Sequence, residues 1–267
     1  MASAAHSGFV PTIAVYVTHE KTRLRIRELF PRKRWRLVFT ANPNEMSAAF
    51  RDHLVDAALV DVAQADEATW QAAALAGEFP SVPFFAVIHL RPADIPVLAR
   101  AIAAGFVDAL VEGVDEPVAR QLVLSRCFSS RFRRALAVPP TSLGLATPVQ
   151  VDAWRMIVSF AGTSVTTSLL AEALGLSREH LSRKFAVGGA PNLKRVIDLV
   201  RLLAAAELAK NPGYDVRDVA KVLGFASSSH LAVAAGRISG TRPASLARLR
   251  AVDLIERFAQ GRTRSRG

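Results

Sequence analysis

The sequence predicts two domains of different class. The first is an N-terminal α/β domain on a five-stranded parallel sheet. The second is an all-α C-terminal domain with two helix-turn-helix units joined by a long helix. Three observations predict this. Five short apolar runs alternate with helical patterns through roughly the first 135 residues. Between 170 and 243, two short helical patterns are each broken by a glycine-bearing turn and followed by a second helical pattern. Between the halves lies ALAVPPTSLGLATPV (135–149), where Pro139-Pro140, Gly144 and Pro148 mark the best boundary.

In the N-terminal half, IAVYV (13–17) precedes a helical pattern at 19–30 with Leu24, Ile26 and Leu29 on its apolar side. WRLVFTA (35–41) precedes a helix at 43–53, and DAALVDV (56–62) one at 66–77. VPFFAVIHL (82–90) precedes a helix at 92–104, and VDALVEG (107–113) one at 116–134. The runs are almost continuously apolar instead of alternating, as expected of strands covered on both faces of a parallel sheet.

After the boundary, VDAWRMIVSFAG (151–162) supplies a helix to pack on the first helix-turn-helix unit, LLAEALGLSREHLSRKF. Ser177 is a good N-cap for its second helix, predicted to run to about 187. Leu181 and Phe185, four apart, share the core face, leaving Glu179, Ser182, Arg183 and Ala186 on the opposite arc. NLKRVIDLVRLLAAAELAK (192–210) carries an apolar stripe at Leu193, Val196, Ile197, Val200, Leu203, Ala204 and Leu208. A helix of that length spans nearly 30 Å at about 1.5 Å per residue, close to the ~34 Å between major-groove segments on one face of DNA. The second unit is DVRDVAKVLGFASSSHLAVAAGRISGTRP. In its second helix, from about 227 to 238, Ser229, Val233 and Gly236 point away from the core, flanked by His230 and Arg237.

Charge falls unevenly on the 267 residues. Residues 1–150 hold 16 Lys and Arg against 14 Asp and Glu, whereas residues 151–267 hold 18 against 9. The helical half is thus strongly basic, as polyanion binding requires. KTRLRIRELFPRKRWR (21–36) adds eight basic residues, for DNA, an acidic partner or a solvated face. An apolar content of 51% excludes a disordered chain. The lone Cys127 cannot form an internal disulfide and belongs with its apolar neighbours in the core. No basic leader with an apolar run opens the chain and no apolar stretch approaches the ~18 residues of a membrane helix, so a soluble cytoplasmic protein with no membrane partner is expected. His6, His19, His53 and His89 lack metal-ligand spacing, and no nucleophile elbow, P-loop or dinucleotide fingerprint is present. Neither enzymatic activity nor a cofactor is expected.

Two such units in tandem point to DNA recognition. The order A-x3-G-x-S-x3-L-x-R-x-F, set by Ala171, Gly175, Ser177, Leu181, Arg183 and Phe185, is followed by a long helix. Then come A-x3-GF-x5-L (Ala220, Gly224, Phe225, Leu231) and a closing G-x2-P (Gly240, Pro243). This pattern resembles the double helix-turn-helix domain of AraC/XylS-type bacterial transcription regulators, over roughly 150–250. The resemblance places base contacts at Glu179, Ser182 and Arg183, the arc that the helical wheel also selects. Arg183 can bond bidentately to guanine O6/N7 and Glu179 can accept from cytosine N4. Arg178 and Lys184, at the edges, suit phosphates. A solvated face is the plain alternative. The second unit departs from the family, with Val233 where a basic residue is usual and Ala235 where an aromatic is usual. It offers Ser228, Ser229 and His230, flanked by Arg237, with little cationic reach, and Gly236 weakens its helix.

The N-terminal pattern resembles the flavodoxin-like receiver domain of response regulators, over roughly 11–135. Asp61, in LVDV, falls where a receiver holds its phospho-accepting aspartate. The acidic pair expected after the first strand is replaced by Thr18 and His19, followed by Glu20, and the lysine expected after the fifth strand by Glu112. Magnesium needs several oxygen ligands and phosphoryl transfer needs its charge, so a degenerate, unphosphorylated receiver is expected. Receivers commonly pair through their fourth and fifth helices, here about 92–104 and 116–134, which implies a homodimer.

The expected organisation is therefore a receiver-like regulatory and dimerisation domain at 1–137, a linker at 138–149, a double helix-turn-helix domain at 150–250 and a basic tail at 251–267. That tail, ending in Arg262, Arg264 and Arg266, either adds phosphate contact or is unstructured. Double-stranded promoter DNA is the expected partner, with RNA polymerase a further one. The competing reading is a protein-interaction adaptor with weakened DNA binding, favoured by Val233, Ala235 and Gly236.

Overall fold

A computed structural model describes residues 10–264 apart from Gln64, Leu90, Val114 and Asp115. The chain forms two compact units. Among the described residues, one comprises Val10–Arg131 with Leu208–Val222, and the other comprises Phe132–Glu207 with residues 223–264. The expected α/β domain thus acquires a segment, 208–222, from the helical half.

The α/β unit is built on β1 (Thr12–Tyr16), β2 (Arg36–Thr40), β3 (Ala57–Asp61), β4 (Phe84–Ile88) and β5 (Asp108–Val111). Every pair is parallel, in the order β2-β1-β3-β4-β5. That is the doubly wound flavodoxin-like order, whose functional edge lies at the carboxyl ends of the strands. Strands β1, β3 and β4 are buried at every position, which explains their unbroken apolar runs. The helices are α1 (Glu20–Leu29), α2 (Pro43–Asp52), α3 (Glu67–Glu78), α4 (Ile95–Ala103), α5 (Glu116–Arg126) and α6 (Phe128–Ala135). Side chains of Asn42 and Asp66 cap α2 and α3.

The single helix expected over 116–134 is divided at buried Cys127 into α5 and α6. Buried Asp56 accounts for the break. Its carboxylate accepts from the N–H of Thr12 and of Ser129, each at 2.9 Å, and its carbonyl accepts from the Phe128 N–H. The start of α6 is thereby tied to the sheet.

The remaining helices are α7 (Pro148–Ser159), α8 (Thr167–Ala173), α9 (Arg178–Phe185), α10 (Leu193–Leu208), α11 (Val216–Val222), α12 (Ser228–Ser239) and α13 (Ala251–Arg264). All but α11 belong to the helical unit, save the last residue of α10. Helix α10 has 16 residues, about 24 Å by its rise, and is shorter than the expected span over 192–210. Asn192 receives the Lys194 N–H at its start, and Asn211-Pro212-Gly213 follow its end. The segment 251–264, expected as a basic tail, is helical because Leu254 and Phe258 lie four apart and are both fully buried. The guanidinium of Arg195 lies 5.0 Å from the Phe258 ring centroid. The side chains of Arg262 and Arg264, and Arg266 and His6 entirely, lie outside the described residues. Among the described residues, no helix is long and apolar enough to cross a membrane.

Candidate nucleic-acid interface

Helices α9 and α12 begin in the same way. Ser177 precedes α9 and accepts the His180 N–H at 3.2 Å; Ser227 precedes α12 and accepts the His230 N–H at 3.2 Å. Such caps satisfy backbone donors that a helix start leaves unpaired. Each is preceded by a glycine in the left-handed region, Gly175 (φ +64) and Gly224 (φ +67), a conformation that a side chain would strain.

On α9, Leu181 and Phe185 are fully buried. Glu179, Ser182, Arg183 and Ala186, the arc that the sequence selects, are exposed, as are Arg178 and Lys184 at its edges. The Glu179 carboxylate is held below its usual range, first by a hydrogen bond from its own backbone N–H and further by Arg178, 3.4 Å away. The arc and its edges therefore combine one anion with three cations.

What holds this helix in place has no counterpart in the expectations drawn from its own residues. Gln150 of α7 is buried, and its Nε2 donates to the carbonyls of Phe185 (2.8 Å) and Val187 (2.9 Å), at the C-terminal end of α9. Its Oε1 accepts from the N–H groups of Ala146 and Thr147, each at 2.9 Å. The capping pattern T-x-x-Q at 147–150 is the available signal; the reach to α9 is not encoded locally.

On α12, Ser229, His230, Val233 and Gly236 are exposed, Ser228 is half-buried, and Leu231, Ala235 and Ile238 are buried. The outward face is apolar at its centre, with Val233 64% exposed. Arg237, expected to flank this face, instead has its guanidinium ion-paired to the buried Asp198 of α10. That pairing engages the arginine of this face, although its side chain stays half exposed. Arg201, also unforeseen, lies 3.8 Å from the Phe225 ring centroid and donates to the Leu223 carbonyl at 3.0 Å. Burial lowers its pKa. It thus secures the GF turn preceding α12.

At the carboxyl edge of the sheet, Asp61 ends β3 as expected and is buried. Burial pushes its carboxyl up, while the Ala63 N–H (3.1 Å) and His19 (3.8 Å) oppose the shift. Glu112 is flanked by Arg25 (2.7 Å) and His89 Nδ1 (2.6 Å). Glu20 pairs with Arg23 and Arg27. These residues do not fit the magnesium that a phosphorylated receiver requires. The positions beside Asp61 hold a hydroxyl and an imidazole, and the nearby carboxylate is already flanked by a guanidinium and an imidazole.

Residues 170–248 match the model of the helix-turn-helix domain family. No curated protein matches the chain. Solved structures similar to it include a response regulator from Thermotoga maritima, at 20% identity over 46% of this chain and 100% of that one, with a TM-score of 0.39. Full-length FixJ from B. japonicum matches at 13% identity over 86% of this chain and 96% of that one, with a TM-score of 0.38. A low-resolution structure of the response regulator StyR matches at 15% identity over 72% and 98%, with a TM-score of 0.38. The α/β unit has the strand order that flavodoxins and receiver domains share. Residues 170–248 are thus a helix-turn-helix region, joined in sequence to an α/β unit with the flavodoxin-like strand order.

Proposed function

We infer that the chain is a bacterial transcription regulator that reads promoter DNA mainly through α9 and is controlled by its α/β unit without aspartyl phosphorylation. The observation that carries this is the exposed arc Arg178, Glu179, Ser182, Arg183 and Lys184 on a capped helix within the matched domain. Arg183 reads guanine and Glu179 cytosine, Ser182 sits between them, and Arg178 and Lys184 bind phosphate. Ser228, Ser229 and His230 of α12 add contacts of lower reach, with Arg237 committed to Asp198.

The protein acts as a homodimer through the face of α4 and α5. Ile95 and Ile102 of α4 are 65% and 61% exposed, and Val107 before β5 and Val118 of α5 are exposed as well. Pairing covers this apolar surface and raises avidity for separated half-sites. Regulation proceeds through contact with RNA polymerase at the promoter. The function is regulatory, not enzymatic, and needs no cofactor. The adaptor reading is favoured only by the apolar outward face of α12. Selection of duplexes from a random library by the full chain separates the two. A consensus whose preference at one base pair is relaxed by Arg183→Ala supports the regulator, and recovery of no consensus supports the adaptor.

A further inference from the structure

Helix α11 is the first helix of the second helix-turn-helix pair, yet it packs within the α/β unit, against α2. Two ion pairs join them. Lys221 Nζ lies 2.6 Å from Asp52 Oδ1, and Arg51 Nε lies 3.7 Å from Asp218 Oδ2. The turn before α11 is held as closely. The Ser81 N–H donates to Asn211 Oδ1 at 2.8 Å, and the Gly213 N–H donates to the Glu78 carbonyl at 2.9 Å. Tyr214 meets the Phe79 ring edge-on, with centroids 4.8 Å apart. Gly213 lies so near that ring that a Cβ there would come within 2.6 Å of it. Phe79 cannot give way easily, being fully buried and stacked on Phe50.

We propose that this contact is an autoinhibitory clasp, in which α2 and the α3–β4 turn of the receiver-like fold hold the segment 211–222 away from DNA. The proposal rests on the DNA-binding reading above. In a helix-turn-helix the first helix crosses the phosphate backbone. Lys221, an exposed cation of α11, is instead neutralised by a carboxylate, and a phosphate approaching it would meet Asp52 at the same time. The clasp is built to open. The Lys221–Asp52 pair is largely exposed and therefore weak, and the Arg51–Asp218 pair is long at 3.7 Å. Docking also leaves the Tyr214 hydroxyl buried with no hydrogen-bond partner among the described residues, which opposes the closed state. A signal on the α/β unit can thus reach the second DNA-binding head through α2 without phosphoryl chemistry.

The test uses the full chain and two clasp variants. Asp52→Arg reverses one ion pair, and Gly213→Ala drives a methyl group into the Phe79 ring. Glu28→Arg, at an exposed position on α1, controls for added positive charge. Amide hydrogen exchange over 211–222 reports the clasp. Binding to a duplex selected from a random library by the wild-type chain reports the head. Both clasp variants should exchange faster in this segment and bind the duplex at least about fivefold more tightly than the control. Faster exchange with affinity no higher than the control overturns the inhibition. Unchanged exchange in both variants overturns the clasp. Failure of every protein, wild type included, to select or bind any duplex overturns the DNA-binding reading, and the inhibition with it.

Discussion

Gln150 uses all of its amide, donating to two carbonyls at the C-terminal end of α9 and accepting two N–H groups before α7. Replacing it by leucine strands several buried polar groups at once, so Gln150→Leu should destabilise the chain by about 2–4 kcal/mol in urea unfolding. A loss under about 0.5 kcal/mol would mean water satisfies those groups equally well. Asp61 gives a prediction of opposite sign. Its folded pKa is raised by burial, so the native state binds more protons than the unfolded chain between the two pKa values. Stability therefore falls as pH rises through that window, and ionised Asp61 opposes folding at neutral pH. Asp61→Asn should raise Tm at pH 7, with the gain vanishing below about pH 3.5. A lower Tm at pH 7 would show that the carboxylate is stabilised by more than the Ala63 N–H and His19. Ser177, Leu181 and Phe185 were legible in the sequence because caps and i,i+4 spacing are local. Gln150 with Phe185, Asp198 with Arg237 and Arg201 with Phe225 were not, since each joins groups that only tertiary packing brings together.

At the scale of elements, the five strands and their helices follow from apolar runs and periodicity. The discrepancies have nonlocal causes. The break between α5 and α6 depends on Asp56, more than seventy positions away from Ser129, which it anchors. The helix over 251–264 depends on a buried site for Leu254 and Phe258, and its composition reads equally well as a tail. Helix α12 is the element where chemistry and frame part company: its cap and core face match α9, but its outward face centres on Val233. A cation there costs little, because the side chain is already 64% exposed. Val233→Arg should leave Tm unchanged, strengthen binding to DNA and steepen the salt dependence by about one counterion. Unaltered affinity and slope would mean that α12 does not approach DNA.

For the whole molecule, the division into an α/β half and a basic helical half was readable from composition and charge. The grouping of 208–222 with the α/β fold was not, because it is made by complementary surfaces on α2 and α11 that have no sequence periodicity. Exposed Ile95, Ile102, Val107 and Val118 predict self-association. Sedimentation of the full chain at micromolar concentration should show a dimer, and Ile95→Glu with Ile102→Glu should return it to a monomer. A wild-type monomer, both free and on DNA, would remove dimerisation from the account. Whether the helical half reads DNA through α9 is decided by a salt titration of specific binding. The full chain and its Arg183→Ala variant are titrated, by fluorescence anisotropy, against a selected duplex and a random one. Wild type should prefer the selected duplex, with affinity falling linearly in log salt. Arg183→Ala should lose about 1–3 kcal/mol on the selected duplex and far less on the random one. Equal binding of both duplexes by wild type, or equal losses on both in the variant, would contradict base reading by α9.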